Sequence, residues 1–143
     1  MSKTETNTAV VRRFYDEVVN GGDVTPVDEL MTPDYTMHGG SLGEIVGLPA
    51  FKAFFAANGQ GAFTGMRLEV RRIIAQDDEV FVLFTNSGTN TGPFMDLPPT
   101  GRHAQWNGTA LYRFEDGRIA ESTYVEDLFD LLLQLGVTRL PAA

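Results

Sequence analysis

No cysteine occurs among the 143 residues. That excludes disulfides, a thiolate nucleophile and cysteine-held zinc or iron–sulfur centres. Histidine is scarce too: His38 and His103 are the only two. They share no metal-ligand spacing, so an iron site built from two histidines and a carboxylate has little support. Lys and Arg total 11 against 19 Asp and Glu, a formal net charge of -8. Binding phosphates needs clustered cations, so this balance argues against a nucleic-acid partner and against an anionic membrane surface. No apolar run reaches the ~20 residues a membrane span needs. The first residues, MSKTETNTAVV, hold no apolar signal core and no cationic leader, and the expected compartment is the cytoplasm. Also missing are HExxH, a phosphate-binding glycine loop and a dinucleotide fingerprint.

What is present is enough apolar material for a core: 43% hydrophobic residues, including ten Phe. At this length, residues 1–143 are expected to form one domain. Val11, Phe14, Tyr15, Val18 and Val19 recur at helical spacing, which predicts a helix over 4–20 stopped by Asn20-Gly21-Gly22. Thr25-Pro26 opens a short helix through Met31, ended by Thr32-Pro33-Asp34, and Tyr35 to His38 is extended. Glycines at 39, 40, 43 and 47 make a loop, 48–58 a third helix with Phe51, Phe54 and Phe55 inward, and 59–65 a glycine-rich connection. Alternation over 66–76 predicts a half-buried strand. The next strand, 79–85 (EVFVLFT), is apolar on both sides, so it should be central or covered by another subunit. Residues 92–99 form a long loop able to lid the sheet. Helices first and strands after predict an α+β cone: a curved antiparallel sheet wrapped around N-terminal helices, with an internal apolar cavity.

The stretch from Pro98 to Gly136 carries most of the chemistry-bearing side chains. Asp116-Gly117 is a strong two-residue hairpin signal. With no bulge, it pairs Thr109 with Tyr124 and Asn107 with Glu126, putting Asn107, Thr109, Ser122, Tyr124 and Glu126 on one face. Trp106 and Gly108 then share the other. A single bulge would reverse the faces beyond it. Tyr124 could exchange a proton or stack on a flat ligand; the plainer alternative is a sheet aromatic with a satisfied hydroxyl. Trp106 could be a stacking wall. Asn107 could orient a carbonyl. Glu126 could be a base in a dry pocket, whereas Asp127 is better read as the cap of the last helix. His38, beside a glycine loop, could reach the pocket, and His103 near a turn is better read as exposed. Tyr15 should border the core, with a partner needed for its hydroxyl.

Short segments spread over most of the chain give this pattern a context. They are Val11-Arg12-Arg13-Phe14-Tyr15, Pro33-Asp34-Tyr35, Pro99-Thr100-Gly101-Arg102, Asp116-Gly117-Arg118-Ile119 and Gln134-Leu135-Gly136. In order and spacing the chain resembles the SnoaL-like polyketide cyclases of the nuclear transport factor 2-like superfamily. The resemblance implies an α+β barrel with an apolar cavity and cofactor-free chemistry on aromatic polyketides, often anthracycline precursors. The ring cyclases close a ring by intramolecular aldol reaction with an Asp after the hairpin turn and a His before it. Those two positions fall on Tyr124 and Ala110 here. Other members are implicated in hydroxylating anthracyclines at C-1.

An ordinary phenol, with pKa near 10, is a poor base, and Ala110 cannot assist. The first expectation is therefore hydroxylation of a polyketide or anthraquinone intermediate. No cofactor would be bound, dioxygen would be co-substrate, and a reductant could come from a partner reductase. Tyr124, Asn107 and Glu126 are the catalytic candidates; Tyr15, Tyr35, His38, Phe51 and Trp106 are the substrate-binding ones. Aldol cyclisation is the alternative, with Glu126 taking over as base if it faces the pocket. A non-catalytic binding module is a third reading, because fold alone does not decide function. The apolar strand 79–85 predicts a homodimer through sheet packing.

Overall fold

The computed structural model describes residues 1–58 and 61–137. The first two residues of the predicted connection 59–65 lie outside them. Helix α1 spans Lys3–Arg13 and runs straight into a π-helical turn, Phe14–Val19. Ser2 caps it, accepting from the Glu5 amide at 3.2 Å. The wider π turn carries Phe14, Tyr15 and Val18 into the core together. Helix α2 is one turn, Val27–Leu30.

Strand β1, Met31–His38, follows at once. Here the predicted helix end is wrong: Met31 and Thr32 already belong to the strand, because Pro33 forces its predecessor out of helical geometry. A short edge strand β2, Glu44–Val46, hairpins back onto β1. Helix α3 covers Leu48–Asn58 as expected, with Phe51 buried, but Phe54 is 39% exposed rather than inward. Strands β3 (Phe63–Gln76), β4 (Glu79–Asn90), β5 (His103–Glu115) and β6 (Arg118–Glu126) form a meander, and helix α4, Leu128–Leu135, closes the described chain.

The sheet order is β2-β1-β6-β5-β4-β3. The sheet is curved and unclosed, and it is mixed rather than wholly antiparallel, since β1 runs parallel to β6. Helix α1, its π turn and α3 cover one face. Val11, Phe14, Tyr15, Val18 and Phe51 pack there against Val80, Val82, Phe84, Ala110, Tyr112 and Phe114. Burying each of these large side chains is worth about 1.5–3 kcal/mol, and together they hold the helices on the sheet. We call this the inner face. A smaller cluster, Ala104, Trp106, Leu131 and Leu135, seats α4 against β5, with Phe63 and Phe94 packed beside it. Phe94 brings the loop 92–99 over the Phe63 ring, centroids 5.4 Å apart. No helix among the described residues is long and apolar enough to cross a membrane.

The β5–β6 hairpin turns at Asp116-Gly117, both at positive φ (48° and 80°), as the dipeptide requires. Glu115 pairs with Arg118 and Phe114 with Ile119, but Arg113 then pairs with Glu121. Ala120 is the extra residue of a β-bulge. From there on the register differs by one from the unbulged expectation. Tyr124 faces Ala110 and Glu126 faces Gly108.

Candidate functional site

The bulge decides what the inner face holds. Alternation along β5 turns Ala104, Trp106, Gly108, Ala110, Tyr112 and Phe114 inward, all buried. Their β6 partners Ser122, Tyr124 and Glu126 turn inward with them. Trp106 and Glu126 therefore share a face, against the unbulged expectation. The Trp106 indole N–H donates to Glu126 Oε1 at 3.0 Å. Trp106 is only 4% exposed and stacks at a tilt on Phe63.

Asn107 is placed the other way. It lies on the outer face and accepts from Thr85 Oγ1 at 2.9 Å, and Thr85 in turn takes the Arg71 guanidinium. The candidate role of orienting a substrate carbonyl beside Tyr124 does not survive this placement. His38 is likewise outside. Its ring bridges Glu44 (2.8 Å) and Glu121 (3.2 Å), both outer-face carboxylates, so it does not reach the interior. Those two hydrogen bonds raise its pKa above the ordinary 6.5. His103 is exposed, with Thr89 Oγ1 3.3 Å from Nδ1. Asp127 is the cap of α4, accepting from the Asp130 amide at 3.0 Å.

Tyr15, Tyr35 and Phe51 are fully buried. Phe51 stands edge-on to Tyr35, centroids 5.4 Å apart, and belongs to the core packing that supports the face. The Tyr35 hydroxyl bonds Ser122 Oγ, and burial pushes its phenol up to about 12. Tyr15 reaches Tyr112, hydroxyl to hydroxyl at 2.5 Å, and Tyr112 reaches Tyr124 at 2.7 Å. Burial is the main reason that all three of these phenols lie above the ordinary tyrosine value of 10. At neutral pH they are neutral O–H groups: donors, not bases.

Tyr112 and Ser122 escaped selection from the sequence. A signal for Tyr112 was there, since it shares parity with Trp106 along one strand. Gly108 has a packing role that parity could not reveal. A Cβ there would lie 2.6 Å from the Phe84 ring and 2.8 Å from Glu126 Cγ. Its absence lets the Glu126 side chain lie over β5. The Pro99-Thr100-Gly101-Arg102 turn is held by Asn90, whose Oδ1 accepts from the Thr100 amide at 2.8 Å and its hydroxyl at 3.0 Å. Two surface hollows lie elsewhere, one against α1 and Ala75 and one beside the Asp116-Gly117 turn. Neither touches the tyrosines.

The fold has known counterparts. The sequence model of the SnoaL-like polyketide cyclases matches residues 9–135. The chain belongs to the SnoaL-like polyketide cyclase family. No protein of curated function matches it by sequence. Among solved structures, a protein of Jannaschia sp. CCS1 provisionally described as a SnoaL-like polyketide cyclase superposes with a TM-score of 0.85. It is 24% identical, with 97% of each chain covered. AclR of Streptomyces galilaeus, provisionally a hydroxylase, gives 0.79 at 24% identity, over 97% of this chain and 90% of that one. IdmH of Streptomyces antibioticus, provisionally a polyketide cyclase, gives 0.77 at 28% identity, over 92% and 99%. In this SnoaL-like chain the two positions that the resemblance assigns to the cyclase acid–base pair, 110 and 124, do stand directly opposite each other on the inner face, as Ala and Tyr.

Proposed function

We propose that the protein tailors an aromatic polyketide by enolising it, with Glu126 as base and Tyr124 as the neighbouring hydrogen-bond donor. The observation that carries this is the position of Glu126. It is a carboxylate turned to the inner face, half-buried, one step along β6 from Tyr124 and anchored by the Trp106 N–H. A carboxylate in an apolar surround can take a proton from carbon next to a carbonyl; a neutral phenol beside it can steady the oxygen that gains charge. Ring closure then balances without any oxidant. The C–H proton goes to Glu126, the enolate carbon bonds to a second carbonyl of the same molecule, and that carbonyl oxygen takes a proton back. Membership of a polyketide cyclase family and the fold shared with IdmH support this reading.

A second reading is favoured by the Ala110–Tyr124 pair, which lacks the cyclases' own acid and base. The enolised substrate would react with dioxygen instead. One oxygen atom would enter the ring and the other leave as water, at the expense of two electrons and two protons from a reductant supplied by a partner reductase. The assembly we propose is a homodimer through the outer sheet face, where Phe81, Leu83 and Leu111 stand partly exposed side by side.

The test is to incubate the purified protein with an anthraquinone-type polyketide precursor in air, with and without a chemical reductant, and read the product by mass spectrometry. Unchanged mass with altered retention means ring closure. Glu126→Gln should then slow it about 100-fold or more, and an undiminished rate would remove Glu126 as base. Gain of one oxygen that needs both air and reductant means hydroxylation. Unchanged starting material would leave a binding module.

A further inference from the structure

Tyr15, Tyr112 and Tyr124 come from three different elements: the π turn after α1, β5 and β6. Their rings meet nearly edge-on, at 76° and 88°, so that the hydroxyls line up in a row. Three hydroxyls carry three protons, and two hydrogen bonds join them, so one O–H is left over. Residue exposure favours one place for it. Tyr15 and Tyr112 are 1% and 0% exposed, and among the described residues their hydroxyls have no acceptor outside the row. A spare O–H on either would be buried without a partner, which costs roughly 1–3 kcal/mol. Tyr124 is the half-buried member. The low-cost arrangement therefore runs one way. Tyr15 donates to Tyr112, Tyr112 donates to Tyr124, and the Tyr124 proton is left for whatever lies against the inner face.

We propose that Tyr112 and Tyr15 are positioning residues that make the Tyr124 hydroxyl a one-way donor for an anionic oxygen, phenolate or enolate, of a planar aromatic ligand. A hydroxyl that accepts a bond becomes a stronger donor, and two such steps in series act in the same direction. Burial keeps all three phenols protonated, so the row stays a donor through the neutral range. An anion is where such a donor gains most, because hydrogen bonds to charged groups exceed neutral ones. The neighbouring Glu126 fits this division of labour. Once it takes a proton it is neutral, and the negative charge has moved to the ligand oxygen beside Tyr124. The inference rests on the reading above only in taking the inner face as the place where substrate binds.

The probe is 1,2-dihydroxyanthraquinone, a planar phenol whose visible spectrum reports its ionisation. It is titrated into the Glu126→Gln protein, whose neutral amide stands for the protonated carboxyl. The bound dye is expected to carry at least ten times the phenolate-to-phenol ratio of the free dye at the same pH. Tyr124→Phe should abolish that enrichment. Tyr112→Phe should cut it several-fold and Tyr15→Phe by a smaller factor, with all proteins melting cooperatively. Tyr15→Phe serves alone if Tyr112→Phe does not fold. Absence of binding or of enrichment in the parent protein would overturn the inference. So would an enrichment unchanged in both Tyr112→Phe and Tyr15→Phe, since the row would then add nothing to Tyr124. Phenolate enrichment without any turnover of polyketide by the native protein would leave the donor row standing and remove the enolising enzyme.

Discussion

The two faces of β5 differ more than any two elements of the molecule. On the inner side, Trp106, Ala110, Tyr112 and Phe114 are buried, and the polar atoms are paired with one another: indole with carboxylate, phenol with phenol. On the outer side, Asn107, Thr109, Leu111 and Arg113 meet water in whole or in part. The polar partners there include ions, as in Arg113 with Glu115 at 2.7 Å and His38 between its two glutamates. Exposed ion pairs of that kind contribute little each. The outer face is also oddly apolar for a wetted surface. Ile74, Phe81 and Leu111 follow one another across three strands, with Leu83 beside them; Leu111 is 41% exposed and Ile74 51%. In the reading proposed above, the inner face would use its few buried polar groups for chemistry and the apolar outer face would serve association.

That contrast can be broken or sharpened by substitution. The largest effect is expected inside. Gly108→Val would drive a side chain into the Phe84 ring and Glu126, and should lose about 1–3 kcal/mol in urea unfolding, while the next residue outward, Thr109→Ala, stays within about 0.5 kcal/mol. Equal losses at both sites would erase the distinction between the faces. Next comes association. Sedimentation at micromolar concentration should report a dimer, and Leu83→Lys, a charge in the middle of the apolar stripe, should halve the mass while leaving the melting curve cooperative. A wild-type monomer would mean that the outer face is not an interface.

The smallest effect concerns the outer ions. His38 has a folded pKa raised above 6.5 by Glu44 and Glu121. Its contribution to stability is therefore complete below pH 6.5 and fades as pH rises through the raised value. Glu121 is shifted down from 4.5, first by its hydrogen bond from His38 and further by Arg113. Its contribution is present above pH 4.5 and is lost as pH falls through the lowered value. His38→Gln should flatten the stability profile just above pH 6.5 and leave turnover at the inner face unchanged. A loss of turnover would instead connect His38 to the site.

Several parts of this architecture were legible residue by residue. Asp116-Gly117 marked its turn, because two adjacent positive φ angles leave few other dipeptides. Asp127 marked the start of α4, and Gly136, left-handed at φ 75°, its end. The Tyr35 to His38 segment was recognisably extended, but its neighbour was not: β1 pairs parallel to β6, a strand some 85 residues later, and no local pattern encodes a partner that distant. Candidate residues divided the same way. Tyr124, Glu126 and Trp106 were chosen by type and lie together. Asn107 and His38 were chosen on equal grounds and lie outside.

The sequence by itself determined most elements of this protein, though not the edge strand β2 or the start of β1, together with the hairpin turn and the membership of residues in alternating sets along each strand. Which set faces the helices was decided only by the tertiary structure. The physical reason is one residue. Ile119 and Ala120 are both buried, and β6 accommodates them by bulging at Ala120 between its antiparallel partner β5 and its parallel partner β1. Because side chains alternate with period two, that single insertion moves Tyr124 and Glu126 from the company of Thr109 and Asn107 to that of Ala110 and Gly108. Local propensity is nearly indifferent to such a bulge. Packing of the inner core is not, since without it the Tyr112 and Tyr124 hydroxyls could not meet.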